Sequence, residues 1–191
     1  MGLLKSIFGK RSNPKSDESD ILSTIVKVEN FDSATDTEKI AILGKSALLL
    51  NTNDAPFFEN VNKSLINISP EPQPITSEVT SIESDEYNSC WIVFDNPDTK
   101  KMITDINSIS SHIANLGLGS SMTAAIFKGI VKDKLAYWVC NYRTAKFYPL
   151  VPDDNNKRDN DMEIKIGEIL ISKGIPVERH ANWYSLSDIP F

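Results

Sequence analysis

The chain has 191 residues, 40% of them hydrophobic and 24% charged, which suits one domain with a substantial core and leaves too little for two large ones. No apolar run approaches the roughly 20 residues that a membrane-spanning helix requires, so a soluble or peripheral protein is expected. The net charge of −6 is uneven: residues 1–16 carry Lys5, Lys10, Arg11 and Lys15 without an acid, so they are +4, and the remaining 16 basic and 26 acidic residues give a body of −10 that argues against nonspecific nucleic-acid binding.

The opening MGLLKSIFGKRS is a short basic amphipathic element. Leu3, Leu4, Ile7 and Phe8 share one helical face, and Lys5, Lys10 and Arg11 surround or follow it. It is not a secretory signal, because Lys5 interrupts its apolar stretch and no small-residue cleavage site follows. Residues 12–20, SNPKSDESD, are polar, contain a proline and predict a linker. The division is therefore a tail and linker over 1–16 and a single domain over 17–191.

Ile21 to Glu29 is rich in β-branched residues and predicts a strand, as does the short run Ser46–Leu50. Asp54 can cap a helix that buries Phe57 or Phe58, Val61 and Leu65. The prolines at 70, 72 and 74 form a stiff connector, after which Glu78–Ile82 and Ser89–Phe94 read as paired strands. Asn96-Pro97-Asp98 ends the pair and starts the strongest helix in the chain. There Met102, Ile106, Ile109, Ile113 and Leu116 lay down one apolar stripe, and Gly117 stops it.

Met122–Val131 and Leu135–Cys140 flank the turn residues Lys132, Asp133 and Lys134, which predicts a hairpin, and Phe147–Val151 extends the sheet. A last helix begins with Asn160 as N-cap and Glu163 in the pairing position, and ends at Gly174 and Pro176. The fold expected is α+β, a mainly antiparallel sheet covered by about three helices.

Catalytic motifs are tested and set aside. Gly44-Lys45-Ser46 ends like a phosphate-binding loop, but the glycine needed five positions before Gly44 is Lys39. Cys90 and Cys140 are far apart and sit in apolar runs, a reduced pair suited to the cytoplasm. His112 and His180 have no close ligand partner. The acids Asp153, Asp154, Asp159, Asp161 and Glu163 lack the glycine and terminal glutamate of a calcium loop, and read as a solvated turn with a salt-bridged helix start. No enzyme, cofactor or metal site is expected.

A series of blocks carries a family resemblance: MGLLKSIFGK, CWIVFDNPD, TDINSI, the GLG at 117–119, NYRTAKFYPLVP, KRDNDMEI and NWYSLSDIP. In this order they resemble the phage-shock-protein-A-associated family of the AB type, most strongly from Cys90 onward. Phe147, Tyr148, Pro149, Pro152, Arg158, Asp159, Asn160, Glu163 and Trp183 occupy its hallmark positions. Asn107, Asn182, Ser185 and Ser187 depart from it, standing where histidine, arginine, proline and tryptophan are usual. The resemblance implies a non-enzymatic role in the membrane-stress response built around phage shock protein A, often beside a membrane protease resembling HtpX.

Two modes of action are consistent with these residues. In the first, Leu3, Leu4, Lys5, Ile7, Phe8, Lys10 and Arg11 bind a partner or the inner face of the cell membrane, or else fold onto the body or a neighbouring subunit. In the second, Phe147, Tyr148, Arg158, Asp159, Asn160, Glu163 and Trp183 form a cluster that either holds a peptide or small ligand or locks the C-terminal segment through an ion pair of Arg158 with Asp159 or Glu163.

Overall fold

In the computed structural model the residues described are 18–30, 40–51, 79–84, 89–153, 157–186 and 188–191. Six strands form one sheet: β1 (Ile40–Asn51), β2 (Val79–Ser84), β3 (Ser89–Asp95), β4 (Met122–Val131), β5 (Lys134–Asn141) and β6 (Lys146–Leu150). Three helices are found among the described residues, α1 (Glu18–Ile25), α2 (Thr99–Asn115) and α3 (Asn160–Ser172). The sheet order is β2-β3-β1-β4-β5-β6, and every neighbouring pair is antiparallel. The expected α+β class with a mainly antiparallel sheet holds.

Alternation along the strands gives the sheet two buried faces. Leu48, Leu50, Ile92, Phe94, Phe127, Trp138 and Phe147 lie in a core that also holds Ile25 of α1, the stripe Met102, Ile106, Ile109 and Ile113 of α2, and Ile166 and Leu170 of α3. Leu49, Trp91, Val93, Ile126, Val139 and Tyr148 form a second cluster, against which Trp183, Leu186, Ile189 and Phe191 pack half-buried. The C-terminal segment therefore lies on the sheet face opposite the helices.

The predicted stripe of α2 is buried from Met102 to Ile113, whereas Leu116, expected to continue it, lies just past the helix end and is 43% exposed. Asp98 caps this helix by accepting from the N–H groups of Lys100 and Lys101 at 2.9 and 3.2 Å, and Gly117 takes a left-handed conformation at its end. The β4–β5 hairpin turns on Lys132 and Asp133 alone, both at positive φ, while Lys134 already pairs with Val131.

Further expectations are corrected. Residues 18–20, read as the end of the linker, begin α1, and residues 21–29 are not a strand but the rest of α1 followed by a 3-10 turn over Val26–Asn30. Burial of Ile21, Thr24, Ile25 and Val28, spaced by three, one and three residues, is a helical stripe that outweighs the β-preference of those side chains. The cap of α3 is Asp159, whose carboxylate accepts from Met162 N–H at 3.1 Å, so Asn160 is the first helical residue. Glu163 does not reach back to the cap, because its carboxylate is engaged elsewhere. The helix expected after Asp54 and the tail over 1–16 lie outside the described residues.

Gly44-Lys45-Ser46 falls inside β1, where the register with β4 shifts between Ile42 and Ser46. There the Gly44 carbonyl accepts from Asn96 N–H at 2.7 Å. A Cβ on Gly44 would lie 2.7 Å from the Asn96 carbonyl oxygen, so glycine serves the approach of two backbones at a bulge.

Candidate functional site

The hallmark residues converge where β6, the start of α3 and the C-terminal segment meet. As an edge strand β6 tolerates Pro149, which has no N–H to offer a neighbour. Further along the same strand Phe147 N–H donates to Pro176 O at 2.8 Å, and Glu178 N–H donates to Phe147 O at 2.7 Å. Residues 176–178 thereby cover part of the edge and lead the chain across it.

From Val151 the chain turns back on itself, with Asp159 N–H donating to Val151 O at 2.8 Å, which places Arg158 beside the first turn of α3. Its Nε lies 3.0 Å from both oxygens of Glu163, and its Nη2 lies 2.7 Å from Oε2. Nη1 donates to the carbonyl of Trp183 at 2.7 Å, and Nη2 also reaches Pro149 O at 3.4 Å. Glu163 is fully buried, and its Oε1 further accepts from Val151 N–H at 2.8 Å. One guanidinium thus joins β6, α3 and the C-terminal segment, with Glu163 as its counter-charge.

Trp183 is fixed from several sides. Its Nε1 donates to Glu178 O at 2.8 Å, its ring meets that of His180 edge-on at 4.9 Å, and its outer edge lies over Gly167 of α3. A Cβ on Gly167 would come within 2.8 Å of Trp183 Cη2, so the indole occupies the space that glycine leaves open. Glu178 is buried and accepts from Arg179 N–H and the Asn182 amide at 2.8 and 3.1 Å. Burial would raise its carboxyl pKa, but hydrogen bonds outweigh it and hold the group below the ordinary value.

Tyr148 lies under this segment with its hydroxyl buried and without a hydrogen-bond partner. Burial raises its pKa strongly, against the opposing influence of the Arg158 charge, so the phenol stays neutral. Phe147, next in sequence, points to the other face and meets the Phe127 ring at 6.4 Å. Asp159 faces away from Arg158 chemistry, capping α3 and pairing with Lys134 at 3.1 Å. Asn160 is exposed. Of the seven residues considered together, Tyr148, Arg158, Glu163 and Trp183 meet, and Phe147, Asp159 and Asn160 contribute to neighbouring structure.

Glu178 and Gly167 belong to this arrangement and were not singled out from sequence, and Lys134, read there only as a turn residue, pairs with Asp159. For Gly167 a signal existed, since glycine in the interior of a helix marks a close approach. Neither Glu178 nor Lys134 lies in a pattern that marks its partner in the sequence. Among the described residues no group of three or more His, Cys, Asp or Glu is placed to hold a metal ion, and Cys90 and Cys140 are buried free thiols.

The profile of the family described as PspA associated protein B matches residues 1–191. The chain belongs to this family. No curated protein and no solved structure matches it. Membership in the PspA-associated family connects the chain to phage shock protein A and is consistent with a PspA-related accessory role. Among the described residues no helix is long and apolar enough to cross a membrane.

Proposed function

We propose that this PspA-associated protein is a non-enzymatic accessory factor, acting by association with a protein or a membrane surface in a phage-shock response. The observation that carries the reading is that Arg158, the best candidate for binding a ligand, spends Nε, Nη1 and Nη2 on Glu163, Trp183 and Pro149. Its hydrogen bonds hold the protein together. A rigid body with an inward-turned polar cluster fits a role in association better than one in chemistry.

The contact surface in this reading is the tail. Leu3, Leu4, Ile7 and Phe8 offer about 1.5–3 kcal/mol each on burial, and Lys5, Lys10, Arg11 and Lys15 about 1 kcal/mol each near an anionic surface, before the cost of ordering is subtracted. Such an anchor is reversible and weakens with salt. The protein then works in the cytoplasm, visiting the inner face of the membrane, phage shock protein A or an HtpX-like protease. Residues 17–191 form the body that the tail tethers.

Sedimentation with anionic vesicles at low and high salt tests this. The intact protein should pellet at low salt and be released at high salt, whereas Leu4→Asp and a protein lacking residues 1–12 should stay in solution. Equal pelleting of all three removes the tail from the mechanism.

The alternative is a peptide or small-ligand binding module around Tyr148, Arg158 and Trp183, and the unpartnered Tyr148 hydroxyl is the observation in its favour. It requires that Arg158→Ala and Tyr148→Ala lose a partner in a pull-down. Lower melting temperatures with every partner retained reject it.

A further inference from the structure

The outward side of α3 carries a pattern that the C-terminal lock does not use. Asp161, Ile164, Glu168 and Ile171 are separated by three, four and three residues, the spacing of alternating a and d positions in a heptad. They form one line along the helix, and all four are exposed. Ile164 retains 42% and Ile171 60% of its surface, although Ile166 and Leu170 already supply the inward face of α3. Single exposed hydrophobes are ordinary, but two isoleucines one heptad apart, with Glu168 between them and Asp161 one seam position before, make a second, outward-facing stripe.

The ion pairs Lys45–Asp95, Lys134–Asp159 and Arg158–Glu163 involve neither Asp161 nor Glu168. Next to Asp161, a groove of about 160 Å³ runs between α3 and the end of β4, lined by Val131, Met162, Ile166 and Ile169. Of the four residues of the line only Asp161 borders it, so the groove flanks the line at its N-terminal end. Lys165 stands on the same flank, at the position that meets an acid across a paired helix.

We propose that the line Asp161–Ile164–Glu168–Ile171 is a docking surface for an amphipathic helix of a partner protein, one with apolar residues opposite the isoleucines and Lys or Arg opposite the carboxylates. Charge decides between this partner and a second copy of the chain. Paired in parallel, two copies would set Asp161 and Glu168 against their own duplicates; paired antiparallel, each carboxylate would be buried against an isoleucine. A basic seam removes both penalties. With 13 residues, α3 spans fewer than two heptads and offers two apolar anchors, so the contact is weak and reversible. The inference adds a partner class to the accessory role and rests on that role only in taking the partner to be a protein.

The test is fluorescence anisotropy of the full chain with two labelled synthetic helical peptides of about three heptads. Both carry Leu at d; one carries Lys at a and the other Glu. The Lys peptide should bind at least about tenfold more tightly than the Glu peptide, Ile171→Asp should lower its affinity by a similar factor, and Glu168→Lys should narrow or reverse the preference. Circular dichroism and urea midpoints of these surface variants should match the parent, which separates lost docking from lost folding. Equal binding of the two peptides, or binding unaffected by Ile171→Asp, overturns the proposal. So does a tenfold gain in peptide affinity on removing residues 1–12, which would make the chain's own tail the occupant, or a dimer that Ile171→Asp dissociates. Vesicle pelleting of the same variants keeps the two readings apart: Ile171→Asp should pellet like the parent, so lost peptide binding with retained pelleting supports the surface, and absent peptide binding with retained pelleting sinks the surface alone.

Discussion

Arg158 and Glu163, five residues apart, form a forked ion pair in which the carboxylate is wholly buried and the guanidinium extends to the Trp183 carbonyl. Removing one partner of such a pair leaves a charge that has lost its water and its counter-ion. Glu163→Ala or Arg158→Ala should therefore cost about 3–5 kcal/mol in urea denaturation. Arg158→Met with Glu163→Leu removes both charges and keeps apolar volume, and should recover most of that loss. A double variant as unstable as the sum of the singles would show that the pair is not acting as a unit.

Trp183 makes a second connection to α3, through Gly167. In a free helix Gly→Ala is favourable by about 1 kcal/mol. Here the added Cβ would lie 2.8 Å from an indole that is held by its Nε1 bond to Glu178 O, so the ring must move and the bond must bend. Gly167→Ala should lower the melting temperature, and a smaller ring in Trp183→Phe should make the alanine tolerable. A double-mutant cycle should give a coupling energy of about 0.5–3 kcal/mol, and a coupling near zero would contradict the contact.

These two contacts mark the limit of what the sequence discloses. The stripe of α2 as far as Ile113, the helix start after Asn96-Pro97-Asp98 and the hairpin with its turn near Lys132–Lys134 were legible because each is set by residues a few positions apart. At residues 21–29 the local preference and the helical burial period disagree, and packing against α2 decides. Arg158 and Glu163 could be named from the sequence, but the Trp183 carbonyl they hold lies 25 positions from Arg158 and is a backbone group with no side-chain signature. The strand order places β1 in the middle of the sheet, between β3 and β4, an arrangement decided by pairings between distant segments.

Gly44 and Lys45 adjoin in β1 yet should respond very differently to substitution. At Gly44 the new Cβ would meet Asn96 O at 2.7 Å and Pro97 Cα at 2.8 Å, both backbone atoms that cannot swing aside. Gly44→Ala should cost about 1–3 kcal/mol, the range for overpacking. The Lys45–Asp95 pair spans 3.5 Å with both side chains nearly half exposed, and Lys45→Ala should change stability by less than about 1 kcal/mol. Thermal denaturation of both variants checks the contrast. A nucleotide-dependent shift in melting temperature, lost in Lys45→Ala, would revive the phosphate-loop reading that β1 geometry opposes.

Asp159 links stability to pH. Its carboxylate accepts from Met162 N–H at the start of α3 and then from Lys134, and these bonds hold its pKa below the ordinary carboxylate value. The folded protein therefore takes up this proton at lower pH than the unfolded chain, whose aspartates titrate near about 3.9. The stabilisation from Asp159 is fully present above that unfolded value and is lost as pH falls through the lower folded value. Asp159→Asn keeps a side-chain acceptor for the cap but removes the charge, so its stability should fall less steeply with acid than the parent's below about pH 5. Asp159→Ala removes the cap as well and should be less stable by about 1 kcal/mol at neutral pH. Urea midpoints for the three proteins across this range measure both effects; parallel curves for parent and Asp159→Asn would mean that the carboxylate titrates alike in the folded and unfolded states.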